Sequence, residues 1–136
     1  MLGAGIAKGM SITFKRLLMK PKTELYPYEK KKLPERSRIY LAPSRKDDGS
    51  PVCQACGICA NQCPDRVLRV TPDPSEKRKP KDFEWFAGRC TFCGLCVEAC
   101  PYNALFFTQD FELADYSRHG LIFKLIENGE IRGADI

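Results

Sequence analysis

The apolar positions of this chain change their spacing from one segment to the next. Leu2, Ile6, Met10, Phe14, Leu17 and Leu18 recur at three- and four-residue steps, apart from the final pair, and fall on one side of a helical wheel. Lys8 and Lys15 stand opposite, Arg16 and Lys20 lie near the polar edge, and Ile12 is an exception on the polar side. This predicts an amphipathic helix within residues 1–20, firmest over 9–20 because Gly3, Gly5 and Gly9 weaken its first turns. From 21 to 49 the period vanishes and Pro and Lys recur. The stretch from Tyr26-Pro27 to Leu33-Pro34 cannot form a helix of ordinary length. An extended basic arm is expected there. Its tyrosines and Ile39-Tyr40-Leu41 carry enough apolar surface to wrap a neighbour.

Past residue 50 the pattern shortens. Val67–Val70 and Ala104–Phe107 read as equivalent short strands, and Phe83, Trp85 and Ala87 alternate as a third strand would. Pro72–Pro80 is a polar, proline-rich loop, and short helices are expected near Cys59–Cys63 and Cys96–Cys100. The fold class is therefore α+β over about residues 50–108, with a C-terminal extension over 109–136.

Composition changes this picture through its eight cysteines in 136 residues. The chain opens without the charged, apolar and small-residue succession of a secretory leader, which argues for reduced thiols over a disulfide framework. It has no run of 18 apolar residues, so no segment is expected to span a bilayer. The net charge of +5 is uneven. Residues 1–52 hold twelve Lys and Arg against five Asp and Glu, residues 53–110 seven of each, and residues 111–136 three against five. The basic excess lies before the cysteines, as suits contact with an anionic surface or an acidic partner.

The cysteines form a repeat. Cys53, Cys56, Cys59 and Cys63-Pro64 are matched by Cys90, Cys93, Cys96 and Cys100-Pro101, and Gly57 and Gly94 stand at the same offset. Both runs read C-x2-C-G-x-C-x3-C-P, the bacterial ferredoxin signature for [4Fe–4S] clusters, in which the fourth cysteine ligates the other cluster. That resemblance assigns Cys53, Cys56, Cys59 and Cys100 to one cluster and Cys90, Cys93, Cys96 and Cys63 to the second. It implies a two-cluster ferredoxin-like core with pseudo-twofold symmetry. Each glycine removes a side chain where the backbone must bend tightly around a cluster, and each proline turns the chain away after the fourth ligand. Ile58, Leu95, Phe92, Val67 and Phe106 are expected to wall the clusters from water. Structural zinc prefers two C-x2-C pairs on a longer loop. No position is missing, as a [3Fe–4S] centre would require, and no iron is left open, as radical chemistry would need.

The flanking segments narrow the reading. The tail Phe111-Glu112-Leu113-Ala114-Asp115-Tyr116-Ser117-Arg118, the N-terminal amphipathic stretch, Tyr26-Pro27 and the basic approach to Cys53 resemble the two-cluster iron–sulfur subunit of respiratory complex I. The same subunit type occurs in related membrane-bound hydrogenases and sulfur-reducing complexes. Glu35-Arg36-Ser37-Arg38-Ile39 departs from the usual complex I form by lacking a glycine among its arginines. The resemblance implies an electron relay without a substrate site of its own, fixed among neighbouring iron–sulfur and membrane subunits on the cytoplasmic face. The N-terminal helix would meet either lipid or protein. A freely diffusing ferredoxin is the alternative, disfavoured by the basic arm and apolar helix. Lys30–Lys32 and Lys77–Lys81 sit in no nucleic-acid recognition motif and read as solvated faces. His119 reads as a surface or packing residue, and Glu98 as a charge-tuning or solvating group.

Overall fold

A computed structural model gives the fold and describes residues 3–76 and 78–132. Leu2, Lys77 and residues 133–136 of the patterns above lie outside it. The chain separates into two compact units, one ending at Leu33 and the other beginning at Pro34.

The first unit is built on α1, Ala4–Leu17. Gly3 precedes it without a side-chain cap, no acidic residue occupies its first turn, and Lys15 and Arg16 sit in its last turn, where they complement the helix dipole. Thr13 Oγ1 donates to the carbonyl of Met10 at 2.9 Å. No residue of α1 is buried. Ile6, Met10, Phe14 and Leu17 are 68, 66, 62 and 78% exposed, so the apolar stripe is uncovered.

The second unit carries β1 (Tyr40–Pro43), α2 (Ile58–Gln62), β2 (Leu68–Pro72), β3 (Pro80–Phe86), α3 (Leu95–Glu98), β4 (Leu105–Thr108), β5 (Ile122–Glu127) and β6 (Glu130–Ile131). Short 3-10 turns occupy Ala87–Arg89 and Arg118–Leu121. β1 and β4 form an antiparallel pair, and the other strands form a sheet in the order β2-β3-β5-β6. β3 is central in that sheet because its alternation turns Phe83 and Trp85 inward, where both are fully buried. Leu68 lies across from Trp85 and Val70 from Phe83 on one side, with Phe123 and Ile126 opposite the same two residues on the other. The register between β3 and β5 shifts at Phe83/Glu84. That bulge lets the successive residues Leu125 and Ile126 both be buried, where strict alternation would send them to opposite faces. No polar or charged residue is buried among those described.

Two segments differ from the expected organisation. The arm expected over 21–49 includes β1, which pairs with β4 in register Leu41 to Phe107 and Ala42 to Phe106. Tyr40, Leu41 and Ala42 are therefore buried in their own unit, so that part of the apolar surface expected to wrap a neighbour is used internally, while Tyr26 and Tyr28 stay exposed. The extension expected after residue 108 supplies β5 and β6, which complete the sheet. Asn128 and Gly129, both at positive φ, make the two-residue turn between them. Replacing the core residue Leu125 by Ala should cost about 2–5 kcal/mol, whereas Phe14→Ala on the exposed stripe of α1 should change the isolated chain by less than about 0.5 kcal/mol. Denaturant titration of the isolated chain checks the contrast.

Candidate cluster-binding site

The two cysteine runs follow the same backbone path. Cys90 comes 37 residues after Cys53 (90 − 53), and positive φ recurs at that step. It is 51° at Ala55 and 53° at Phe92, 73° at Gly57 and 86° at Gly94, and 51° at Arg66 and 49° at Asn103. Ala and Phe hold this conformation only because their surroundings enforce it, at a cost of order 1–3 kcal/mol each. Hydrogen bonds recur at the same step. The amides of Asn61 and Glu98 each donate to the carbonyl of Gly57 or Gly94 at 3.1 Å, opening α2 and α3. The amides of Arg66 and Asn103 donate to Cys63 and Cys100 at 3.2 and 3.3 Å, closing the turn after each Cys-Pro step. The chain leaves these turns into β2 and β4.

This path gathers the cysteines into two enclosed spaces. One is lined by Cys53, Cys56, Cys59 and Cys100, with Val70, Phe83 and Leu105 among its apolar walls. The other is lined by Cys63, Cys90, Cys93 and Cys96, with Leu41, Val67, Leu68, Trp85 and Phe107. Each space thus joins three cysteines of one run to the fourth of the other. None of the eight is disulfide-bonded. Cys59 is buried, Cys56 and Cys93 are exposed, and the rest are half-buried.

Burial, followed by the charge of neighbouring sulfurs, pushes the Cys59 thiol up to about 12 and the Cys96 thiol up to about 11. It also raises Cys53, where Cys100 and Cys56 add to the effect. Backbone amides act the other way, those of Ala55, Ala60 and Val97 on Cys53, Cys59 and Cys96. The Phe92 amide reaches Cys90 Sγ at 3.4 Å, and that of Ala104 reaches Cys100 Sγ at 3.3 Å. Sulfurs that resist ionising when free, yet have amide donors aimed at them, become thiolates once a metal binds. Among the described residues no three His, Cys, Asp or Glu converge closely enough to share a single ion. Four thiolates spread around an apolar space fit a [4Fe–4S] group, whose irons each take one ligand.

The expected wall is only partly the one observed. Val67 is buried and lines the second space, and Ile58 lines the first although 39% exposed. Leu95 and Phe106 are 45 and 44% exposed and line neither. Strand alternation explains Phe106, since Leu105 and Phe107 on either side of it point inward. Phe92 packs edge-on against Trp85, 6.1 Å between centroids, behind the second space. Glu98 meets Arg38 at 3.4 Å, an exposed pair of little energetic weight. His119 is exposed, and its amide donates to Ser117 Oγ at 3.2 Å.

Arg38 was not expected at the site. Its Nη1 donates to the carbonyl of Cys93, 55 residues away, and its guanidinium lies over Gly94, where an added Cβ would fall 2.5 Å from Nη1. Gly94 is therefore required for its positive φ, and a side chain there would displace the Arg38 guanidinium. Only the β1–β4 pairing brings the two together, and no local signal around Arg38 announces it.

Residues 52–104 match the family described as a 4Fe-4S dicluster domain. Over nearly the whole chain, the protein is similar to NADH-quinone oxidoreductase subunit I of Carboxydothermus hydrogenoformans, with 44% identity over 132 residues covering 95% of this chain and 90% of the relative. A second relative, NADH-quinone oxidoreductase subunit I 2 of Solibacter usitatus, is 43% identical and covers 85% of this chain and 80% of its own length. Among solved structures, one chain of the membrane-bound sulfane sulfur reductase, an archaeal respiratory membrane complex, matches with a TM-score of 0.55 and 29% identity. That match covers 79% of this chain, which spans 55% of the reductase chain. With its cysteine spaces and overall resemblance taken together, this chain belongs to the NADH-quinone oxidoreductase subunit I family, whose two-cluster iron–sulfur domain it carries.

Proposed function

We propose that this protein is a fixed electron relay within a membrane-associated, complex I-like oxidoreductase, with Cys53, Cys56, Cys59 and Cys100 holding one [4Fe–4S] cluster and Cys90, Cys93, Cys96 and Cys63 the other. The observation that carries this reading is the lining of the two spaces, three cysteines from one run and the fourth from its counterpart. The 37-residue recurrence of positive φ (90 − 53) supports a pseudo-twofold core. When bound, each cluster supplies reversible one-electron exchange.

The chain's own part is to hold, insulate and expose. Apolar walls from β2, β3 and β4 exclude water, and amide donors stabilise charge on the sulfurs, two levers that set reduction potential. Cys56 and Cys93 are the exposed members of their sets, so the edges at these residues are where electrons pass to and from neighbouring centres. Among the described residues no helix is long and apolar enough to cross a membrane. The uncovered stripe of α1, flanked by lysines, suits a role in holding the subunit to its complex or to the cytoplasmic surface of the membrane.

Cys63→Ser should reduce the iron content from about eight to about four per chain and abolish the cluster of Cys90, Cys93 and Cys96. Iron analysis with EPR of the reduced protein reads this, and loss of the Cys53, Cys56 and Cys59 cluster instead would refute the exchanged ligation. Deleting residues 1–20 should leave both clusters intact and release the subunit from its assembly. Co-purification of the shortened chain at native affinity would remove that role from the helix.

A further inference from the structure

The repeat does not account for one difference between the two spaces. β3 backs both, the first with Phe83 and the second with Trp85, and each side chain is 0% exposed. Phe83 brings no polar atom. Trp85 brings an indole N–H, and its Nε1 is fully buried without a hydrogen-bond partner in the protein. A buried donor is costly to leave unpaired, and native structures seldom do so without a reason. The indole cannot relieve this by turning to solvent. Tyr40 packs edge-on at 5.5 Å between centroids, Phe92 edge-on at 6.1 Å, and Phe123 tilted at 5.5 Å. None of these contacts gives the indole N–H a hydrogen bond.

The acceptors that adjoin Trp85 across the space are sulfurs, those of Cys63, Cys90, Cys93 and Cys96. Asp65 and Thr91 also line it and bond to each other, Thr91 Oγ1 donating to Asp65 Oδ2 at 3.0 Å, but neither accepts from the indole, whose N–H has no partner in the protein. We propose that Trp85 is a positioning and tuning residue whose indole N–H donates to a sulfur of the cluster held by Cys63, Cys90, Cys93 and Cys96, raising the reduction potential of that cluster alone. This rests on the cluster assignment above. One electron added to a cluster increases the negative charge on its sulfurs, so a fixed N–H donor stabilises the reduced form more than the oxidised form. The first space has no counterpart at this position of β3, because Phe83 cannot donate.

The chain contains a single tryptophan, so the indole nitrogen can be labelled without ambiguity. The full-length protein with both clusters is prepared with 15N-indole tryptophan, and a second sample carries 3-benzothienylalanine, which keeps the shape of the ring system and lacks the N–H. Iron content and two separately reducible EPR signals, checked first, establish the two-cluster reading independently of Trp85. Pulsed EPR of the reduced protein should show a 15N coupling on one cluster. In the benzothienyl sample the reduced-to-oxidised ratio of that same cluster should fall about tenfold at a fixed potential, or about 59 mV for one electron, with the other unmoved. Trp85→Phe should shift the same transition in the same direction. Absence of the 15N coupling overturns the proposal, as does an unchanged potential in the benzothienyl sample or an equal shift of both clusters.

Discussion

The second unit is organised around the exchange of one cysteine between two halves. Cys63 leaves the first run to close the space of the second, and Cys100 does the reverse. Neither space is complete within one half, so a group bound in either would tie residues of both cysteine runs together. Such a tie would restrain the positive φ at Ala55, Arg66, Phe92 and Asn103. Local conformation alone would resist it, and four sulfurs held on a rigid group can supply the restraint.

The packing outside the runs serves the same end. β3 backs both spaces together with β2, presenting Phe83 to one and Trp85 to the other. β2 and β5 flank it and bury its inward side chains. β1 brings Leu41 to the second space and carries the preceding Arg38 over Cys93 and Gly94. Because the interior has no buried charged residue among those described, the electrostatics of each space depend on backbone amides and on the few polar groups at its rim. Such a setting suits repeated electron exchange with little rearrangement.

What could be read from the chain alone follows from how local each feature is. The cysteine runs, their glycines and their prolines are contiguous, and spacing alone announces the site. The alternation of Phe83 and Trp85 likewise marked β3. β1 was not legible, because Pro- and Lys-rich neighbours obscure Tyr40–Pro43 and its partner β4 lies more than sixty residues away (105 − 40). β5 and β6 carry one local signal, the hairpin pair Asn128-Gly129 between apolar Ile126 and Ile131. The bulge that buries Leu125 beside Ile126 breaks the alternation by which a strand is read from sequence. Arg38 and the unpaired indole of Trp85 are products of tertiary packing, and no periodicity encodes them. In α1 the amphipathic pattern was plain, and the helix forms with that pattern uncovered.

Mössbauer spectroscopy of the full-length, 57Fe-loaded protein addresses the central claim most directly. All the iron should appear as two [4Fe–4S] clusters per chain, and reduction should place one electron on each, with magnetic interaction between them in EPR. A single cluster per chain, cubes lacking an iron, or zinc in place of iron would contradict the account.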